Sequence, residues 1–290
     1  MSKRALLAAI SLVFVPACGQ ATRDVEMPQP PPAPASPSQR YEANAMVLES
    51  DAHEPMLCLG AVLESLPPQC GDVPITNWNW DDVAGEERRS DTVWGSYHVV
   101  GTLDDGSFTV IEVAAPRKGE AVFGGESEIG TPCPVPPGGW QAADPARTTE
   151  QDRNAGAAAA GREPDFAGLW IDHVVEPDPN AYEDTANIIL NVAFTGDLER
   201  HESELRQYWG GPLCLTRHDH TYRELRRIQD ELTPTGGQEL GLQVLSSNVD
   251  VVRNFVELGV VVIDAETQRA LDARYGAGTV RASGALRPVS

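Results

Sequence analysis

Four aromatic residues and four acids stand close together in the first half of this sequence. They are Trp78-x-Trp80, Trp94 and Tyr97, with Asp81, Asp82, Glu86 and Glu87 among them. Residues two apart on a strand share a face, so the two indoles are expected to point the same way. Exposed indoles stack on sugar rings or on an apolar partner, which makes Trp78, Trp80, Trp94 and Tyr97 candidate ligand-binding residues. The plainer expectation is that they fill a small β core, given the area that tryptophan buries. Paired carboxylates beside such rings are also the equipment of a glycosidase. Against that stands a charge-rich loop balanced by Arg88 and Arg89.

His218-Asp219-His220 sets two imidazoles on one side of a strand end, half of a zinc or copper site. The sequence names no third ligand, and a solvated turn accounts for the tripeptide equally well. The acidic segment Asp178 to Asp184 lacks the glycine and ligand spacing of a calcium loop and reads as a surface loop. There is no Gly-x-Ser-x-Gly, His-Glu-x-x-His or Walker loop, and no Gly-x-Gly-x-x-Gly follows a strand. No catalytic residue, metal site or cofactor is therefore assigned from the sequence.

The cysteines carry a different chemistry. Setting Cys18 aside leaves Cys58, Cys70, Cys133 and Cys214, an even set that allows three pairings. Cys58–Cys70 and Cys133–Cys214 are favoured because the first pair is local and brackets Pro67-Pro68. Cys133 lies in Pro132-Cys133-Pro134, an extended stretch with little structure of its own, and gains most from a tie to the short apolar strand holding Cys214. No Cys-x-x-Cys spacing supports zinc instead.

At the N-terminus Lys3 and Arg4 precede an uncharged run, Ala5 to Val15, too short to span a bilayer but suited to a signal segment. Val15-Pro16-Ala17-Cys18 then resembles the lipobox of bacterial lipoproteins, in which the cysteine is acylated and becomes the new N-terminus. The expected protein is thus extracytoplasmic and held to the cell membrane through lipid on Cys18. The formal charge is −21. A surface that acidic repels phosphate backbones and argues against nucleic acid as a partner. The expected partners are the membrane, through the anchor, and a cell-wall or protein surface.

The elements that position these residues fall into an α+β chain. Residues 1–17 read as signal peptide and 18–42 as lipidated cysteine and proline-rich linker. Residues 43–140 read as a β-rich barrel or sandwich, 141–164 as an alanine-rich linker or solvated helix, and 165–290 as a ferredoxin-like α/β domain. The surest β element is the hairpin of 97–102 and 107–113 around Asp105-Gly106. Leu57 to Leu63 and Ile75 to Trp80 are weaker strands. In the last part, strands at 187–195, 213–217, 242–245, 255–263 and 279–286 alternate with helices at 198–209, at 221–232 behind a Thr221-x-x-Glu224 capping box, and after Asp264. The order strand, Asp197, helix, strand is echoed by strand, Asp264, helix, strand 66 or 67 residues later, a faint internal repeat.

Two resemblances add to this. Leu57-Cys58-Leu59-Gly60, Ser65-Leu66-Pro67-Pro68-Gln69-Cys70-Gly71, Trp78-Asn79-Trp80 and Trp94-Gly95-x-Tyr97 resemble a segment of uncharacterised secreted lipoproteins of high-GC Gram-positive bacteria, which brings no activity with it. Phe166-Ala167-Gly168-Leu169-Trp170, through Tyr222-x-x-Glu224-Leu225, to Asp250 and Asn254 is distantly similar to protease pro-domains of the α-lytic type; what that implies is the ferredoxin-like fold. The function expected is a non-catalytic binding or structural role at the cell surface. The alternative is a wall-directed hydrolase using the acids beside Trp78 and Trp80.

Overall fold

The computed structural model describes residues 39–63, 65–118, 129–174, 185–233 and 237–289. The expected signal peptide, the lipobox, most of the proline-rich linker and the acidic loop Asp178 to Asp184 lie outside the described residues.

Strand β1 (Arg40–Ser50) runs antiparallel to β5 (Thr92–Asp104) along its whole length, from Arg40↔Thr102 to Ser50↔Thr92. On its other edge β1 pairs with β2 (His53–Cys58) and, from the opposite end of the chain, with β13 (Arg287–Pro288). Two-residue β3 (Val73–Pro74) extends β2, while β4 (Glu87–Arg89) and β6 (Ser107–Ala114) share the far edge of β5. The β5–β6 hairpin turns at Asp105 and Gly106, both with positive φ (48° and 76°), as the Asp-Gly signal requires. The order β3-β2-β1-β5-β4 leaves the sheet open, so no barrel closes. One face buries Ala43, Ala45, Val47, Tyr97, Val99 and Phe108 together with Val261 and Leu286 from the C-terminal part. On the other face Trp94 and Leu48 pack against Cys58.

The strands expected at Leu57 to Leu63 and Ile75 to Trp80 are displaced. The first is β2, ending at Cys58; of the second only β3 and an isolated Ile75–Phe108 bridge remain, and Trp80–Asp82 is a 3-10 turn. Asn79 starts that turn, its side chain accepting from the Asp81 N–H, a local bond that competes with a strand ladder.

Of the two expectations for residues 141–164, linker or helix, the helix is the one observed. Helix α1 (Glu150–Ala160) occupies them, opened by a reciprocal Thr149/Asp152 capping box, and buries Gly156 and Ala160. A Cβ on Gly156 would touch Trp209 Cβ at 3.4 Å, and Trp209 shares one buried cluster with Ala159 and Ala160 of the helix. Small residues that read as a solvated or unstructured tract are here the surface against which a large ring packs. Residues 38–290 form one compact unit.

After α1 come β7 (Phe166–His173), β8 (Ile188–Phe194), α2 (Leu198–Leu205) and β9 (Leu213–Arg217). Then follow α3 (Tyr222–Glu231), the short α4 (Gly237–Glu239), β10 (Val244–Asp250), β11 (Phe255–Val260), α5 (Ala265–Tyr275) and β12 (Val280–Gly284). Each half is the same unit: β7 is antiparallel to β8 and β8 parallel to β9, just as β10 is antiparallel to β11 and β11 parallel to β12. Asp197 and Asp264 cap the two crossover helices, and Thr221 caps α3 as its spacing predicts. The repeat legible in the sequence is therefore a repeat of structure. The two units keep separate three-stranded sheets where a ferredoxin-like arrangement would join the strands in one.

Both expected disulfides are present. Cys58–Cys70 closes the loop after β2, and Cys133–Cys214 ties the segment before α1 to β9, with Cα separations of 5.5 and 5.8 Å. Such bonds persist in oxidising, extracytoplasmic surroundings. No helix among the described residues is long and apolar enough to cross a membrane.

Candidate functional site

The aromatic candidates divide between the two faces of the first sheet. Trp78, Trp80 and Tyr97 meet on one face, with ring centroids 5.4 Å apart for the two indoles and 5.1 and 6.5 Å from each indole to Tyr97. Although the indoles stand on a turn and not on a strand, both face the same ring. Tyr97 lies opposite Ala45 in the ladder, and its ring covers Gly95, where a Cβ would come within 2.5 Å of the phenolic oxygen. Trp94 sits three residues away in the same strand and so points to the other face, over the Cys58–Cys70 bridge. The four do not make one surface.

Three of the acids around this cluster have partners close by. The indole N–H of Trp80 donates to Glu49, Asp82 accepts from the Asn79 side chain at 3.0 Å, and Glu86 stands 3.8 Å from Arg88. Glu87 lies in β4, and Asp81 is exposed at the turn. Tyr97 is 3% exposed, and neither its hydroxyl nor the Trp78 N–H has a hydrogen-bond partner among the described residues. Burial first, and Glu86 second, raise the Tyr97 phenol above its usual range.

His218 and His220 serve different neighbours. His218 stacks on Trp170, 6.3 Å between centroids and 13° from parallel, and burial lowers its imidazole below the usual histidine value. His220 lies near Thr279 Oγ1 (3.2 Å) and Glu224 (3.7 Å). Its backbone is clamped by Asn254, which accepts from the His220 N–H and donates to the His220 carbonyl. His220 thus links the two repeat units while His218 stacks within the first, so the two imidazoles face different neighbours.

A different polar constellation, one that sequence reasoning did not single out, lies between the α1–β7 loop and α2. Glu163 and Asp165 come from the loop; Arg200, His201 and Glu204 come from α2. His201 is 1% exposed and lies against Phe194, the last residue of β8. Its Nε2 is 2.9 Å from Asp165 Oδ2 and 3.0 Å from an Arg200 nitrogen. Arg200 donates to Glu163 at 2.9 Å and to both Glu204 oxygens at 2.9 and 3.0 Å, and these bonds raise the guanidinium above its usual range. Ligand atoms of Glu163, Asp165 and His201 lie within 4.8 Å of one another. A cavity of about 200 Å³ opens beside them, lined in part by Glu163, His201, Glu204 and Tyr208.

A larger groove of about 730 Å³ runs along β10 between Gln229 and Thr233 of the α3 region and Gln243 to Ser247. Its lining carries no charged side chain, and Gln229 crosses its floor to donate to the Ser247 carbonyl at 2.8 Å.

The chain matches no known family model and no curated protein.

Proposed function

We propose that the protein is a membrane-anchored extracytoplasmic lipoprotein whose folded part has a non-catalytic binding or structural role at the cell surface. The observation that carries this reading is how the acids beside the tryptophans are employed. Of the candidate acids, Asp82 and Glu86 are bound to neighbours of the same turn or sheet and Asp81 and Glu87 stand exposed, while the rings beside them close over one another. A hydrolase working there would need two carboxylates facing a shared substrate cleft. Disulfides suited to an oxidising compartment support the export half of the reading. The lipobox resemblance at Cys18 supports the anchor, since acyl chains hold a protein to a bilayer at roughly 0.8 kcal/mol per buried CH₂.

Two measurements test it. Cys18→Ser is expected to move the protein from the membrane fraction into the soluble one, and unchanged retention would overturn the anchor. Incubated with peptidoglycan fragments and wall polysaccharides, the purified protein is expected to produce no turnover. Turnover abolished by Asp81→Asn or Glu86→Gln would establish the hydrolase instead.

A further inference from the structure

We propose that Glu163, Asp165 and His201 form a binding site for one divalent transition-metal ion, with Arg200 as the resident cation that the metal displaces. One imidazole nitrogen and two carboxylates, with water completing the shell, is a donor set that suits zinc.

The unsatisfied chemistry of the buried histidine is the first support. Nε2 faces an acceptor-only carboxylate and a donor-only guanidinium at nearly equal distances. If it carries the proton it can bond only Asp165; if it does not, it can bond only Arg200. No tautomer serves both neighbours, whereas a metal ion bonds the imidazole lone pair and the carboxylate together. Nδ1 has no hydrogen-bond partner among the described residues, its closest carboxylate oxygens being those of Glu204 at 3.9 Å and Glu163 at 4.0 Å. Asp165 Oδ1 is buried and also makes no hydrogen bond, its charge partner being an Arg200 nitrogen at 3.8 Å.

Charge points the same way. Glu163, Asp165, Asp197 and Glu204 surround a single guanidinium, which reaches all four within 3.8 Å. Arg200 also spans the proposed ligands, one nitrogen on Glu163 and another beside His201. It therefore occupies the place of a more highly charged cation. At 39% side-chain exposure it is free to swing outward while keeping Asp197 or Glu204 as a partner, and the adjoining cavity gives an ion a way in.

The internal repeat supplies a control. Counting from the caps Asp197 and Asp264, the second unit has Thr267, Gln268 and Leu271 where the first has Arg200, His201 and Glu204. Gln268 does a purely structural task, donating to the Val280 carbonyl at 2.9 Å and accepting from the Ala282 N–H at 3.2 Å. The strand–helix–strand scaffold therefore does not require the polar cluster.

Calorimetric titration of the purified full-length protein with Zn²⁺ at neutral pH tests the proposal, with thermal melting and circular dichroism alongside. One equivalent is expected to bind and to raise the melting temperature, as any ligand of the native state does. Glu163→Gln, on a half-buried residue, is expected to keep the native spectrum and weaken binding at least tenfold, and His201→Gln to abolish it. Arg200→Gln is expected to tighten binding roughly tenfold, because a competing positive charge is gone. Absence of saturable zinc binding would overturn the site, as would binding unchanged by Glu163→Gln. Weaker binding in Arg200→Gln would overturn the displacement of Arg200. These outcomes are independent of the membrane anchor.

Discussion

The imidazole of His201 lies flat on the phenyl ring of Phe194, with centroids 3.6 Å apart and planes 5° from parallel. This contact fastens α2 to the end of β8, a strand buried at every position. Phe194 is itself fully buried and also meets Phe166 edge-on at 6.2 Å. Phe194→Ala is expected to cost about 3–5 kcal/mol, the usual range for deleting a buried ring whose surroundings relax only in part. Urea unfolding measures it, and a loss below about 1 kcal/mol would show that α2 is held by other contacts.

How far the sequence revealed this arrangement depends on whether the signal was local. The Asp105-Gly106 hairpin, the caps Asp197, Thr221 and Asp264, and the repeat of strand, helix and strand all arise from bonds within a few residues, and all are in place. The cysteine pairing was legible because prolines confine Cys58–Cys70 and leave Cys133 in need of a tie. Long-range packing was not legible. Nothing in Ala157-Ala158-Ala159-Ala160 announces that Trp209 will cover the helix, and nothing in the last residues announces that β13 will pair with β1. The polar cluster was missed because Glu163 and Asp165 are distant in sequence from His201. The signal that was available is the His201-x-x-Glu204 spacing, i and i+3 on one helix, standing where the second repeat has Gln268 and Leu271.

The two disulfides are expected to contribute unequally. Their sequence separations are 12 and 81 residues. In the chain-entropy account these correspond to about 2.8 and about 4.5 kcal/mol of restraint on the unfolded chain. Replacing Cys133 and Cys214 together by serine should therefore lower the denaturant midpoint more than replacing Cys58 and Cys70 together. The reverse order would mean that the packing of Trp94 and Leu48 around Cys58 outweighs loop closure.

His218 makes stability fall on mild acidification. Burial lowers its folded-state pKa below the value of about 6.5 expected in the unfolded chain. The unfolded chain then binds the proton more readily, so this contribution is fully present above about pH 6.5 and is lost as pH falls toward the folded value. Chemical denaturation of the wild type and of His218→Gln between pH 7.5 and pH 5 isolates the effect as a difference, since the other histidines are common to both. The wild-type curve should fall more steeply on acidification. Parallel curves would show that the stacked imidazole takes up its proton as easily in the fold as outside it.

Tyr97→Phe is expected to leave stability unchanged or to raise it by roughly 1 kcal/mol, against the general rule that core substitutions destabilise. The phenol oxygen is buried without a hydrogen-bond partner among the described residues, so folding removes its bonds to water and returns none. Its ring, by contrast, packs between Trp78, Trp80 and the bare backbone of Gly95, and phenylalanine keeps the ring contacts while losing only the oxygen's contact with Gly95. Gly95→Ala offers the opposite case in the same cluster. A methyl group there would meet Tyr97 ring atoms at 2.7 and 2.8 Å, and overpacking of this kind costs about 1–3 kcal/mol. Thermal and urea unfolding of both variants decide between ring and hydroxyl. A loss above about 1 kcal/mol in Tyr97→Phe would show that the hydroxyl has a bonding partner in solution. The cluster would then be a polar site and not the closed packing of three rings that the geometry describes.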